Sequence, residues 1–295
     1  MCTAFQVYSA NNFAITGRSL DYDQASVFTT SQSPAGKVFK SVLNNGVEWT
    51  SKYGLYTVDF QGSKYNIPFE GMNSQGIGIS GNLANASYPT DNPGPTISSD
   101  DIVNYVLAQA GSILEAANYL TTINIDSKWQ YHYIVFDSQG DSLVVEYKDH
   151  EPISSFNMSS VMTNNPGLNF QLENQNDYAN IRNWFPGAIL PDSGDQFHGQ
   201  GMLGLPGDWM STSRYTRVST LLEYCEKFAT TPAQGLNLAK RILESASLIK
   251  GVDLGGSATG NPIYSQIQIV KDLVNSIIYT REYDASDWAK IAISW

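Results

Sequence analysis

Cys2 directly follows the first methionine in the opening stretch MCTAFQVYSANNFAITGRSLDYD. Extreme N-termini usually fray and tolerate change, so a cysteine there counts for its chemistry more than for its packing. Methionine removal is efficient when the next residue is small, and cysteine is small. The product would carry a thiol and a free α-amine on one residue. In unperturbed form the amine titrates near ~7.7–8.0 and the thiol near ~8.5. A base in that range suits proton transfer close to neutral pH. Nucleophile and base then come from a single residue, as in the pairing of threonine with its own N-terminal amine, and no catalytic histidine is required. The segment TGRSLDYD adds Arg18 and Asp21 where a returning strand meets the N-terminus. An arginine beside a thiol favours the thiolate, and a carboxylate beside an amine can orient it.

These residues need a hairpin to meet. Residues 2–9 and 14–21 read as two strands around ANNF, with Asn11 and Asn12 filling a tight two-residue turn. That turn pairs Ala10 with Phe13, so Cys2 is expected opposite Asp21. Arg18 is then expected opposite Phe5, on the other face of the ribbon, unless a bulge near Gly17 re-aims it. GLYTVDFQG, GIGISGNL, the hairpin YHYIVFDSQGDSLVVEY, PIYSQIQIVKD, NSIIYTREY and WAKIAI read as further strands.

Helices are expected between them. SSDDIVNYVLAQA puts Ile102, Val106 and Gln109 on one stripe, with Val103 and Leu107 adjacent. SILEAANYLTTI opens with a capping box from Ser112 to Glu115. TPAQGLNLAKRILESASL has Thr231 as N-cap, Pro232 at the first helical position and Gln234 at the third. RVSTLLEYCEKF places Val218, Leu221, Leu222, Cys225 and Phe228 on one apolar face, which makes Cys225 a small core residue. The Gly/Pro-rich stretch 186–207 reads as a long loop of the kind that is functional or mobile. Strands, then helices, then strands again, with no linker, imply α+β layers in a single domain over residues 1–295.

Composition removes several functional classes. Lysine and arginine number 17 against 28 acidic residues, a net charge of −11, which argues against nucleic acid and anionic membrane as partners. No stretch reaches the ~18 apolar residues of a membrane helix, and no basic segment followed by an apolar run marks a signal peptide. A cytoplasmic protein with free thiols is the expectation, since Cys2 and Cys225 are too few for a disulfide framework. His132, His150 and His198 are scattered, with no Cys/His spacing for a metal and no phosphate-binding glycine loop.

Five segments, MCT, GRSLDYD, FEGMNSQGIGISGNL, VMTNNPGLNFQ and LPGDWMSTSRYTRV, together and in this order resemble the choloylglycine hydrolase family, which holds conjugated bile salt hydrolases and penicillin V acylases. The resemblance implies the α+β, four-layer αββα sandwich of N-terminal nucleophile hydrolases and an amidohydrolase cleaving a linear non-peptide C–N bond. It implies no metal or organic cofactor, a small-molecule acyl amide as substrate, and a homotetramer. Cys2 matches the nucleophile, and its amine the base. Arg18 and Asp21 match the pair that holds and activates it. Asn82 falls where bile salt hydrolases carry an oxyanion-hole asparagine, Asn164 matches the second asparagine of the site, and Arg214 matches the arginine that completes it. An amide donor facing the oxyanion is worth ~2.7–4 kcal/mol. Asn82 points first to a glycine- or taurine-conjugated bile salt. LANASYP, in place of the NFPGY typical of bile salt hydrolases, points second to penicillin V or an acyl-homoserine lactone. A non-catalytic small-molecule binding protein on the same scaffold is the reading from another class.

Overall fold

β1 (Cys2–Ser9) is buried on both faces from Cys2 to Val7, although it carries polar Thr3 and Gln6. A sheet with one wet face would show alternation instead. Burial on both sides requires a layer above and a layer below, and the computed structural model supplies them. It describes residues 1–10, 12–127, 129–183, 201–254 and 260–295.

The sheet that holds β1 runs, in spatial order, β14 (Val161–Met162), β1, β2 (Phe13–Tyr22), β15 (Tyr264–Asp272), β16 (Ile277–Glu282) and β17 (Ala289–Ala292). The second sheet runs β13 (Glu151–Phe156), β12 (Ser142–Lys148), β11 (Tyr131–Phe136), β8 (Gly78–Leu83), β7 (Asn66–Asn73), β6 (Leu55–Gln61) and β3 (Phe28–Ser33). Both sheets are antiparallel throughout. Two short pairs lie outside them: β4 (Val38–Lys40) with β5 (Glu48–Thr50), and β9 (Thr96–Ser98) with β10 (Asn124–Asp126).

Helices α1 (Ile102–Gln109) and α2 (Ile113–Thr122) cover the second sheet, with Ile102, Val106 and Leu120 closing one core against Ile79 and Val135. Helices α4 (Ser211–Cys225) and α5 (Pro232–Ala246) cover the first, with α3 (Leu168–Asn176) packed on α4. Phe5, Phe13, Ile15, Val218 and Ile242 belong to the core on that side. The order is therefore helices, sheet, sheet, helices, the four-layer α+β sandwich expected from the resemblance.

Local signals explain most boundaries. Thr231 Oγ1 accepts from Gln234 N while Gln234 reaches back to the Thr231 backbone, a complete capping box before Pro232. At α2 Ser112 accepts from Glu115 N, but the Glu115 carboxylate takes Gly111 N instead of the Ser112 backbone. The β11–β12 turn is closed by Asp137 Oδ1, which accepts from Gln139 N and Asp141 N, with Gly140 at φ +94°. Glycine tolerates that left-handed backbone without strain.

Three expectations are corrected. The β1–β2 turn is one residue longer than the two-residue form, because Ser9, not Ala10, pairs with Phe13. Cys2 therefore stands opposite Leu20, not Asp21, and Arg18 opposite Ala4, not Phe5, with no bulge in the pairing. Phe228 leaves the α4 stripe: the helix ends at Cys225, a short 3-10 turn follows, and the ring is 70% exposed. Cys225 itself is half-buried. The loop expected at 186–207 lies outside the described residues up to position 200, as does His198.

Candidate active site

The shifted register decides the site. Side chains alternate along a strand, so Cys2 and Ala4 share a face, and Arg18, opposite Ala4, points to that same face. Its Nη2 donates to Cys2 Sγ at 3.4 Å. Its Nη1 donates to Asn82 Oδ1 on β8, across the gap between the sheets. Arg18 is 1% exposed and Cys2 7%.

Thr3 and Asp21 face the other way, toward α4. There Arg214, fully buried, donates through Nη1 to Cys2 O at 2.5 Å and Thr3 Oγ1 at 2.6 Å, and through Nη2 to Asn164 Oδ1 at 2.9 Å. Its Nε donates to Trp209 O at 3.0 Å. Burial pushes this guanidinium below its ordinary value, while Asp21, Cys2 and Asp253 pull it back. Asp21 Oδ1 accepts from Ser265 Oγ at 2.5 Å, and its Oδ2 lies 4.0 Å from Arg214 Nη1.

Asn164 joins the two faces. Its Oδ1 also accepts from Cys2 N at 2.7 Å, and its Nδ2 donates to Leu83 O at 2.8 Å. The segment that carries it is pinned from several elements. Ser211 Oγ, at the start of α4, accepts from Asn164 N at 3.0 Å. His132 Nε2 lies 3.0 Å from Thr163 O, and Asn82 Nδ2 donates to that carbonyl at 2.7 Å and to Met162 O at 3.2 Å. Asn82 thus has its amide hydrogens on the 162–163 backbone. Its oxygen takes Arg18 Nη1, so Asn82 ties the Arg18 side chain to the segment that carries Asn164.

Met1 extends β1 by one more pair, since its carbonyl accepts from Asp21 N at 2.8 Å and its amine donates to Asp21 O at 2.6 Å. It also lines a cavity of about 140 Å³ on the Cys2 side, together with Leu20, Tyr22, Phe60, Phe69, Trp129 and Tyr131. Burial raises the Tyr131 phenol well above its ordinary value, with the charges of Asp100 and Cys2 adding to the shift. The site thus combines a buried thiol, two buried guanidinium groups, an asparagine on the Cys2 nitrogen and an apolar chamber. Among the described residues no cluster of His, Cys, Asp or Glu could hold a metal ion.

The family model for linear amide C–N hydrolases, choloylglycine hydrolase family, matches residues 2–294. The chain belongs to the choloylglycine hydrolase family. As a member it is a linear amide C–N hydrolase. It is 27% identical to the bile salt hydrolase/transferase of Lactiplantibacillus plantarum, over 100% of this chain and 93% of that one. It is 30% identical to the bile salt hydrolase/transferase of Clostridium perfringens, over 75% of this chain and 71% of the relative. Its fold matches the crystal structure of the C2A mutant of the Clostridium perfringens conjugated bile acid hydrolase at a TM-score of 0.85. That match has 22% identity and covers 99% of this chain and 92% of the other. Among the described residues no helix is long and apolar enough to cross a membrane.

All six residues singled out for this hydrolase chemistry, Cys2, Arg18, Asp21, Asn82, Asn164 and Arg214, lie in one connected network. Sequence reasoning missed Thr3, His132, Thr163, Ser211, Glu70 and Lys271. One signal was available: Lys271 is the one cation of β15, directly after Ile269 and Val270.

Proposed function

We propose that this chain hydrolyses an N-acyl amide through a thioester on Cys2, and that Met1 is removed before it does so. The observation that carries this reading is the two-sided hold on Cys2, with the sulfur against Arg18 and the nitrogen against Asn164. Loss of Met1 leaves an α-amine where Asn164 Oδ1 already accepts from the Cys2 nitrogen. That amine takes the thiol proton, and Sγ attacks the substrate carbonyl. Asn164 Nδ2 gives one hydrogen to Leu83 O and has a second for the oxyanion, a donor worth ~2.7–4 kcal/mol in the transition state. The tetrahedral intermediate collapses as the ammonium returns its proton to the leaving amine. Water, deprotonated by the same amine, then cleaves the thioester. Arg214, with the Asp21 carboxylate 4.0 Å away, holds the Cys2 carbonyl throughout.

The likeness to bile salt hydrolases supports a conjugated bile salt as the first substrate to try. The cavity favours a second reading. At about 140 Å³ it lies below the ~300–1,000 Å³ usual for drug-sized ligands, and its walls are flat rings. A phenoxyacetyl group, as in penicillin V, or the straight acyl chain of an acyl-homoserine lactone suits that shape, while a steroid needs the space that Met1 vacates. Homotetramer formation belongs to the same reading and is checked by light scattering.

The test is a hydrolysis panel of glycocholate, taurocholate, penicillin V and acyl-homoserine lactones, run on material whose N-terminus has been read by intact mass. Turnover of one of them by protein beginning at Cys2 is the expected result. Full activity in protein that uniformly keeps Met1 rules out the α-amine mechanism.

A further inference from the structure

Behind Arg18, on the side away from Cys2, a second group of charges is closed between the sheets. Glu70 on β7 is fully buried, and Lys271 on β15 is 1% exposed. Lys271 Nζ donates to Glu70 Oε1 and, at 3.0 Å, to Gly71 O. Gly71 N donates to the same Oε1 at 3.3 Å, and Ser80 Oγ donates to Oε2. Arg18 Nε lies 3.9 Å from Glu70 Oε2 and makes no hydrogen bond.

Ions are costly to bury, and apolar residues of similar volume often serve as well. Arg18 and Glu70 alone would already cancel. Lys271 changes that. It takes up the carboxylate, leaves Glu70 beyond hydrogen-bond reach of Arg18, and brings the three groups to one net positive charge. Both Arg18 Nη atoms are left for Asn82 and Cys2.

We propose that Lys271 and Glu70 are positioning residues for the nucleophile: they hold Arg18 with an uncancelled positive charge directed at Cys2 Sγ, a charge that the Cys2 thiolate matches. This rests on the reading of Cys2 as the reactive thiol. The other charged or titratable groups that bear on the sulfur are the α-amine of processed Cys2 itself, common to all the variants below, Arg214 and Asp21 from the helical side, with Asp253 acting on Arg214, and Tyr131 from β11. None of them touches Lys271 or Glu70. Burial lowers Lys271 from its ordinary value, Glu70 opposes this, and Arg18 adds to the lowering.

The test reads charge separately from structure. In a Cys225→Ser background, processed protein is alkylated with iodoacetamide from about pH 5 to about pH 9, with Cys2 labelling followed by intact mass. Lys271→Met reduces the group to zero net charge, so its rate profile should move to higher pH and its rate below neutrality should fall by about tenfold. Glu70→Gln raises the group to two positive charges, so its profile should move to lower pH. The double variant restores one positive charge and should return to within about twofold of the parent. Shifts in the same direction for the two single variants, or a double variant that stays displaced, overturn the proposal. If a single variant fails to fold, Glu70→Gln/Lys271→Arg is compared with Glu70→Gln/Lys271→Met. The arginine form carries one more charge and should react at lower pH; equal profiles overturn the proposal. Failure of the parent to label at Cys2 while still turning over would instead count against the nucleophile assignment.

Discussion

Arg18 stands opposite Ala4, and that pairing puts its guanidinium 3.4 Å from the sulfur of Cys2, two residues away on the same face. One residue of slip would reverse the face and leave Arg18 among the helices, far from Asn82. The extra turn residue between Ser9 and Phe13 is therefore what brings Arg18 to Cys2. Arg18→Met should slow Cys2 alkylation and lower kcat/KM by roughly 10–100-fold, the worth of a hydrogen bond to a charged group. Equal alkylation rates in folded parent and variant would contradict this role.

The two asparagines should separate kinetically. Asn164→Ala removes the partner of the Cys2 nitrogen and the proposed oxyanion donor, so kcat should drop by about 10²–10³ with KM changed far less. Asn82→Ala removes the Arg18 acceptor and frees the Met162 and Thr163 carbonyls. Its effect should be divided: a smaller fall in kcat, about tenfold, and about 1–3 kcal/mol of lost stability. Steady-state kinetics beside urea unfolding distinguishes them. A larger kcat loss in Asn82→Ala would return the oxyanion role to that residue.

The two thiols differ in setting. Cys225 is half-buried at the end of α4, and burial raises its thiol above the ordinary value, with Lys227 opposing. Cys225→Ala should keep turnover within about twofold, while Cys2→Ala should abolish it in protein whose circular dichroism is unchanged.

Gly17 explains why the residue before Arg18 has no side chain. A Cβ there would lie 2.5 Å from Phe5 Cζ and 2.7 Å from Cε1, and the ring is fully buried. Gly17→Ala should cost about 1–3 kcal/mol by overpacking and lower activity as β2 shifts. Thermal unfolding tests the first effect, and Phe5→Leu in the same chain should recover part of it.

Asp59 supplies a pH test. The residue is 3% exposed, and burial raises its carboxyl above the ordinary value against hydrogen bonds from Ser31 and Thr57. The folded chain then binds this proton to higher pH than the unfolded chain does. Stability contributed here falls as pH rises from the unfolded value, about 3.9, through the raised folded one, and stays lower above it. Asp59→Asn cannot titrate. Its stability relative to the parent should therefore improve as pH rises through that window and be level below it, in urea unfolding at a series of pH values. A difference independent of pH would show that the carboxyl does not titrate differently on folding.

The sequence by itself determined the chemistry on offer and the layered plan. Cys2 behind Met1 names a nucleophile and a base by residue type. The strand signal of PIYSQIQIVKD, the capping box at Thr231–Gln234 and the turn at 137–141 are local signals whose physics lies within a few residues. Cys2, Arg18 and Asp21 were singled out by residue type and spacing, whereas Asn82, Asn164 and Arg214 were singled out only through the resemblance of their segments to the family's. Which face each residue uses was not legible. Register depends on turn length, and Asn11–Asn12 is compatible with turns that differ by one residue, so local propensity cannot choose between them. The choice belongs to the sandwich: only pairs such as Cys2 with Leu20 bury the apolar sets of both strands while placing Arg18 between the sheets and Asp21 toward α4. The contacts of the Asn82 amide, too, were not legible, because it donates to carbonyls eighty residues away. Glu70, Lys271 and His132 gain meaning only from distant partners, across β7 and β15 or from β11 to Thr163. The cost of leaving such buried polar groups unpaired is settled by tertiary packing alone.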